Sequence, residues 1–136
     1  MNTKQLVPIL IHASVGWVFC AATIGIGMAT TSIKNTLIIH VIGAPVFFIA
    51  VSIAYFTKYR YGTPLFIAIL FIAFVVTVDF FLVALVINRS LEMFTNLLGT
   101  WIPFVLIFAS TYFTGIIIIA RHRGNNNTSA VKQVKN

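Results

Sequence analysis

Acidic residues are nearly absent from this sequence. It contains two, Asp79 and Glu92, against nine lysines and arginines, and charged residues of both signs make up only 8% of its 136 residues. A soluble domain of this length needs a polar shell, and this composition has too little polar material to form one. The scarcity of charge therefore excludes an ordinary soluble fold.

Cysteine and the usual catalytic motifs are also scarce. A single cysteine, Cys20, cannot form an internal disulfide and has no companion for a cysteine-based metal site. The sequence has no glycine-rich phosphate loop, no HxxxH spacing and no plausible Ser-His-Asp set. Because only one acid lies inside an apolar segment, an enzyme is the less favoured class.

Long apolar runs are what the sequence has in abundance. Hydrophobic residues make up 60% of the chain, and the mean hydropathy is +1.02. Four runs, at about residues 6–31, 36–56, 64–87 and 97–120, are each long enough to cross a hydrocarbon core of about 30 Å as a helix rising 1.5 Å per residue. They do not alternate as barrel strands would, and a helix satisfies its backbone polar groups internally.

The sequence therefore predicts an all-α integral membrane protein. Residues 1–123 are expected to form an antiparallel bundle of four transmembrane helices joined by short loops, and residues 124–136 a disordered, basic cytoplasmic tail. In helix one, the pairs Ala21/Gly25 and Thr23/Gly27 have the small-xxx-small spacing that is typical of close helix contact.

The distribution of basic residues predicts the orientation. Seven of the nine fall on the side that carries both termini, so the positive-inside rule places both termini in the cytoplasm. The expected partners are the lipid bilayer and either further copies of the chain or another membrane subunit, because four helices enclose little interior space. Nucleic acid is not an expected partner, because the charge lies on one rim and the tail. The anionic lipid headgroups are expected to contact Lys58, Arg60, Arg121 and Arg123.

Asp79 lies in the apolar run VTVDFFLVALVI. A charged aspartate at the centre of a membrane helix costs roughly 2.5 to 3.5 kcal/mol, so the side chain is expected to point inward. Counting back from Asn88 places Asp79 about 13 Å below the outer boundary, level with Thr23 on helix one and Pro45 on helix two. Two interpretations stay open: a binding site, or a protonated carboxyl that links two helices by a hydrogen bond.

A candidate site follows from this coincidence of depth. Pro45 has no N–H, so the carbonyl of Val41 lacks its helical donor, and His40 lies about 7 Å nearer the outer face. Together with Asp79 and Thr23, these groups predict a site for a proton, a cation or an amine. No particular metal or cofactor is indicated, and the positions of His12 and His40 at opposite ends of the membrane count against a shared haem. The secondary candidates are His12, Glu92 and Trp101.

Three functional hypotheses follow. The first is a transporter or channel subunit in which Asp79 binds a proton or cation with help from His40. The second is a non-catalytic accessory subunit of a larger membrane complex, in which Asp79 pairs with a polar group on a partner helix. The third is a membrane enzyme acting on lipid or quinone, which requires a pocket that contains both Asp79 and His40.

Overall fold

The computed structural model describes the backbone of residues 3–82, 95 and 97–134, with side chains as far as Gly124. Its elements are α1 (Thr3–Thr30), α2 (Ile33–Lys58), α3 (Pro64–Val78) and α4 (Ile102–Val134). Residues 79–82 continue α3 as a π-helical turn, and a second π-helical turn, Leu97–Trp101, leads into α4. In this described part, four helices are long and apolar enough to cross a membrane, as the sequence predicts.

Side-chain caps explain where two of the helices begin. The hydroxyl of Ser32 accepts a hydrogen bond from the backbone N–H of Asn35, at 3.4 Å, at the start of α2. At the start of α3, the hydroxyl of Thr63 likewise accepts a hydrogen bond from the backbone N–H of Phe66, at 3.3 Å. Pro64 occupies the first turn of α3, where its missing N–H costs nothing. These local signals set the first residue of α2 and of α3.

Arg60 ties the end of α2 to α4. Its backbone has a positive φ of 50°, and its Nε donates to the carbonyl of Phe56 at 3.1 Å. Its Nη2 lies 2.7 Å from His122 Nε2. Because a guanidinium only donates, Nε2 is the acceptor, and His122 Nδ1 carries the hydrogen that faces the Ile118 carbonyl at 3.2 Å. Arg60, predicted to contact lipid headgroups, thus also joins two helices.

Glycines bring the helices close together. A Cβ added at Gly16 would meet the ring of Phe48, and one at Gly27 would meet Thr36. From the first contact to the second, the residue number rises on α1 and falls on α2, so these two helices run antiparallel. α1 also packs on α3, and α4 packs on both α2 and α3. Glycine permits this close approach because it has no side chain between the two backbones.

α2 presents one continuous buried face. Its buried side chains recur every fourth residue, the spacing that keeps side chains on one side of a helix; they include Thr36, His40, Ala44, Phe48, Ser52 and Phe56. Large apolar side chains elsewhere are exposed, for example Ile26 and Val105, each with 65% of its surface accessible. An apolar exterior of this kind is what contact with lipid requires.

The observed boundaries differ from the predicted ones in detail. α1 and α2 each begin three residues earlier than expected, at Thr3 and Ile33. Of the predicted third helix, residues 83–87 lie outside the described residues. The largest difference is the tail, because α4 continues as helix to Val134, where the sequence predicts disorder after residue 123. No proline interrupts residues 124–134, and an existing helix adds residues without a new nucleation cost.

Candidate functional site

The Asp79 carboxyl is bonded to Trp17. The indole Nε1–H of Trp17 on α1 donates to Asp79 Oδ1 at 2.8 Å, and both side chains are half-buried. In apolar surroundings an indole N–H and a carboxyl each need a partner, and a hydrogen bond to an ionised carboxylate is stronger than one between neutral groups. This contact satisfies both groups and joins α1 to the end of α3.

The sequence around Asp79 explains its direction. Ile67, Phe71 and Val75 lie at four-residue intervals on α3 and are all buried, and Asp79 is the next position in that stripe. The backbone N–H of Asp79 reaches the carbonyls of both Val75 and Val76, where the α-helix passes into the π-helical turn. Turns of this kind are rare and are frequently found at functional sites.

Cys20 lies one turn along α1 from Trp17. Its thiol is free, it is buried with 6% of its surface accessible, and it lies within electrostatic reach of Asp79. A small buried side chain at this position allows α1 and α3 to approach each other. We therefore treat Cys20 as a packing residue beside the carboxyl.

His40 does not bond to Asp79. It is buried, with 8% of its surface accessible, and its Nδ1 has no hydrogen-bond partner among the described residues. The Trp17–Asp79 bond is therefore formed without His40, which leaves the imidazole outside the hydrogen-bonded part of the predicted site.

The other two members of the predicted site are Thr23 and Val41. The hydroxyl of Thr23 donates to the carbonyl of Phe19 at 2.8 Å, within its own helix. Val41 is half-buried, and α2 remains helical through Pro45. Of the four predicted site residues, Asp79 alone has a recorded hydrogen bond to another helix among the described residues.

Polar side chains are buried in a second place. In the described part of the chain, every buried polar side chain belongs to α2, to α4 or to the π-helical turn before α4; these are Thr36, His40, Ser52, Thr100, Thr111 and Thr114. Besides His40 Nδ1, the buried hydroxyls of Ser52 and Thr111 have no hydrogen-bond partner among the described residues. These buried polar groups lie on elements other than α1 and α3, which the Trp17–Asp79 bond joins.

Two of the three secondary candidates make contacts of their own. His12 is on the first half of α1, with its Nδ1 2.7 Å from the carbonyl of Pro8 and its ring edge-on to Tyr55 and Tyr59. Trp101, in the turn before α4, is exposed and contacts the ring of Phe104. Glu92 lies outside the described residues.

Trp17 is the site residue that the sequence reasoning missed. An indole N–H within an apolar helix needs an acceptor, and the apolar runs contain one carboxyl. Pairing the Trp17 N–H with the Asp79 carboxyl would have suggested this hydrogen bond. The depth estimate pointed instead to Thr23, six residues or about 9 Å further along α1 than Trp17.

Comparison of the chain with protein-family models, with curated proteins and with solved structures gave no significant match. Function must therefore be argued from the site itself. Among the described residues, no three histidine, cysteine or acidic side chains are grouped so that they could hold a metal ion. What the site offers is one carboxyl with a fixed hydrogen-bond donor.

Proposed function

We propose that this chain is an integral membrane protein whose four helices form an antiparallel bundle with both termini in the cytoplasm. In this arrangement it acts as a transporter or channel subunit in which Asp79 binds and releases a proton. The observation that carries the proposal is the Trp17–Asp79 bond, which holds a half-buried carboxyl at 2.8 Å within an apolar span. Carboxyl groups at such positions commonly mark ion and proton pathways.

A proton is favoured over a metal cation by the number of ligands. Mg²⁺ and Ca²⁺ require six or more oxygen ligands, whereas a proton requires one basic oxygen. The Trp17 N–H can donate to Asp79 Oδ1 whether the group is a carboxylate or a neutral acid whose carbonyl oxygen is Oδ1. The indole therefore keeps the carboxyl in place through a cycle of protonation and release. Each cycle changes the charge between α1 and α3, which couples protonation to their packing.

Proton flux into liposomes that contain the purified chain tests this proposal. We expect Asp79→Asn to lower the flux by about 10²-fold, the lower end of what a positioned proton-transfer group contributes. Asp79→Glu should retain part of the flux. Thr77→Val is the matched control, because Thr77 is exposed in the same part of α3 and its hydroxyl bonds to the carbonyl of Ala73. Wild-type flux in Asp79→Asn would contradict the proposal.

The orientation has its own test in a Cys20→Ala background. Thr31→Cys lies between α1 and α2 and Thr57→Cys lies at the other end of α2, both at exposed positions. In cells whose outer surface is accessible, a membrane-impermeant maleimide should label the cysteine at position 31 and leave the one at 57 unlabelled until the membrane is opened. The reverse pattern would place both termini outside.

The second candidate is a non-catalytic accessory subunit of a larger membrane complex. The internal bond between Trp17 and Asp79 favours it, because a carboxyl satisfied within the chain can act purely as a link between helices. On this alternative a partner subunit co-purifies with the chain, and Asp79→Asn leaves the activity of the complex intact. The third candidate, an enzyme acting on lipid or quinone, needs Asp79 and His40 in one pocket, and no hydrogen bond between them supports it.

A further inference from the structure

An open groove lies between α1 and α2, on the half of α1 that contains His12. Its volume is about 310 Å³, at the small end of ligand pockets. Ala50 and Ala54 are one helical turn apart, and because their side chains end at Cβ they leave the depression unfilled. The lining is otherwise apolar and consists of Ile11, His12, Val15, Ala50, Val51 and Ala54.

His12 supplies the one polar group of this lining. Its Nδ1 lies 2.7 Å from the Pro8 carbonyl, so Nδ1 carries a hydrogen and donates it. The opposite nitrogen, Nε2, has no hydrogen-bond partner among the described residues and is not one of the buried unpartnered atoms. The ring is held edge-on by Tyr55 and Tyr59, at centroid distances of 5.7 and 5.6 Å. A fixed imidazole therefore presents an accessible nitrogen to the groove.

Positive charge lies next to this end of the groove. The Lys58 ammonium is 5.2 Å from the centre of the Tyr59 ring, and Tyr59 in turn contacts His12. Neither of the two acids of the chain, Asp79 and Glu92, is near this position in the sequence. Basic side chains close to tyrosines at the end of a membrane helix are suited to anionic lipid headgroups.

We propose that this groove binds one anionic phospholipid. One acyl chain lies along Val15, Ala50 and Ala54, and the headgroup lies at His12 and Lys58. Nε2 accepts a hydrogen bond from a headgroup hydroxyl when the imidazole is neutral, and donates to the phosphate when it is protonated. The inference depends on the membrane placement proposed above but not on the role of Asp79.

Native mass spectrometry of the purified full chain tests the site. The probes are phosphatidylglycerol and phosphatidylcholine with identical acyl chains, added in equal amounts. We expect the chain to retain phosphatidylglycerol about fivefold better, because the Lys58 ammonium lies at the headgroup position and one such basic group contributes about 1 kcal/mol. Ala54→Leu fills the groove and should remove this preference. Ala73→Leu, at an exposed position on α3, is the matched control and should behave as the wild type.

His12→Asn separates recognition from folding. Its side-chain amide can still donate to the Pro8 carbonyl, whereas Nε2 is lost, so the preference should fall while the melting temperature drops only by the cost of the two lost ring contacts. Equal retention of the two lipids by the wild type would mean bulk bilayer lipid only and would overturn the proposal. An unchanged preference in Ala54→Leu would also overturn it. Displacement of phosphatidylglycerol by an equal amount of a neutral isoprenoid quinone would overturn it as well.

The lipid test and the flux test can fail independently. Asp79→Asn should retain phosphatidylglycerol as the wild type does, since Asp79 does not line the groove. If Asp79→Asn loses proton flux but still retains phosphatidylglycerol, the result therefore reports on the carboxyl alone. Loss of lipid preference in Ala54→Leu or His12→Asn concerns the groove alone.

Discussion

Replacing Gly115 with alanine should destabilise the protein by about 1–3 kcal/mol, the usual cost of overpacking a close contact. A Cβ at this position would lie 2.7 Å from the Phe56 ring and 2.8 Å from Cβ of Pro64. The Pro64 ring is part of the backbone at the start of α3, so it cannot rotate away as a flexible side chain would. The substitution would therefore have to move α4 away from α2 and α3, and thermal unfolding in detergent measures the result.

Gly25→Ala is the matched control for this prediction. It is also a glycine inside a helix, but it is exposed, and an added Cβ would meet nothing within 4 Å. Only the helix propensity changes there, so alanine should stabilise the protein by about 0.5–1 kcal/mol. The two substitutions are expected to act in opposite directions. Equal shifts in the melting temperature would contradict the close contact of Gly115 with Phe56 and Pro64.

Trp17→Phe should cost about 1–3 kcal/mol, because it keeps an aromatic ring and removes the N–H, which leaves the Asp79 carboxyl without its donor. The same substitution in an Asp79→Leu background should cost much less, since no carboxyl then needs a donor. The difference between the two costs is the coupling free energy, and for groups in contact it amounts to about 0.5–3 kcal/mol. Melting temperatures of the four chains give this value.

Equal costs of Trp17→Phe in the two backgrounds would show that the bond contributes nothing to stability. Combined with the flux assay, the same variants distinguish the two leading functions. If Asp79→Asn retains stability but loses flux, the proton carrier is supported, because an amide can accept from Trp17 but cannot bind and release a proton. If it retains both, the carboxyl serves as a link and the accessory subunit is favoured.

The small residues of α1 show what the spacing of residues can and cannot predict about helix contacts. The spacing of Thr23 and Gly27 predicts close contact, and Gly27 does pack against Thr36 of α2. The overlapping pair Ala21 and Gly25 has the same spacing, yet both residues are exposed. The two pairs lie on different sides of α1, and the spacing carries no information about which side faces a neighbouring helix.

The sequence by itself determined the helical, apolar character of this protein. The length of an apolar run and the need to satisfy backbone polar groups are local properties, so the four helices and the beginning of α3 at Pro64 can be predicted from consecutive residues. It also predicted that Asp79 points inward, because a charged aspartate is costly inside a membrane, and the structure places Asp79 in line with the buried Ile67, Phe71 and Val75.

Only the tertiary structure decided what Asp79 contacts. Depth along a helix follows from counting residues, but the rotation of each helix about its axis depends on how all the side chains pack together. A rotation of half a turn moves a side chain from one neighbour to the opposite side, and the sequence carries no direct measure of it. For this reason the carboxyl meets Trp17 of α1, while no hydrogen bond joins it to His40, Thr23 or Val41, which were chosen by depth alone.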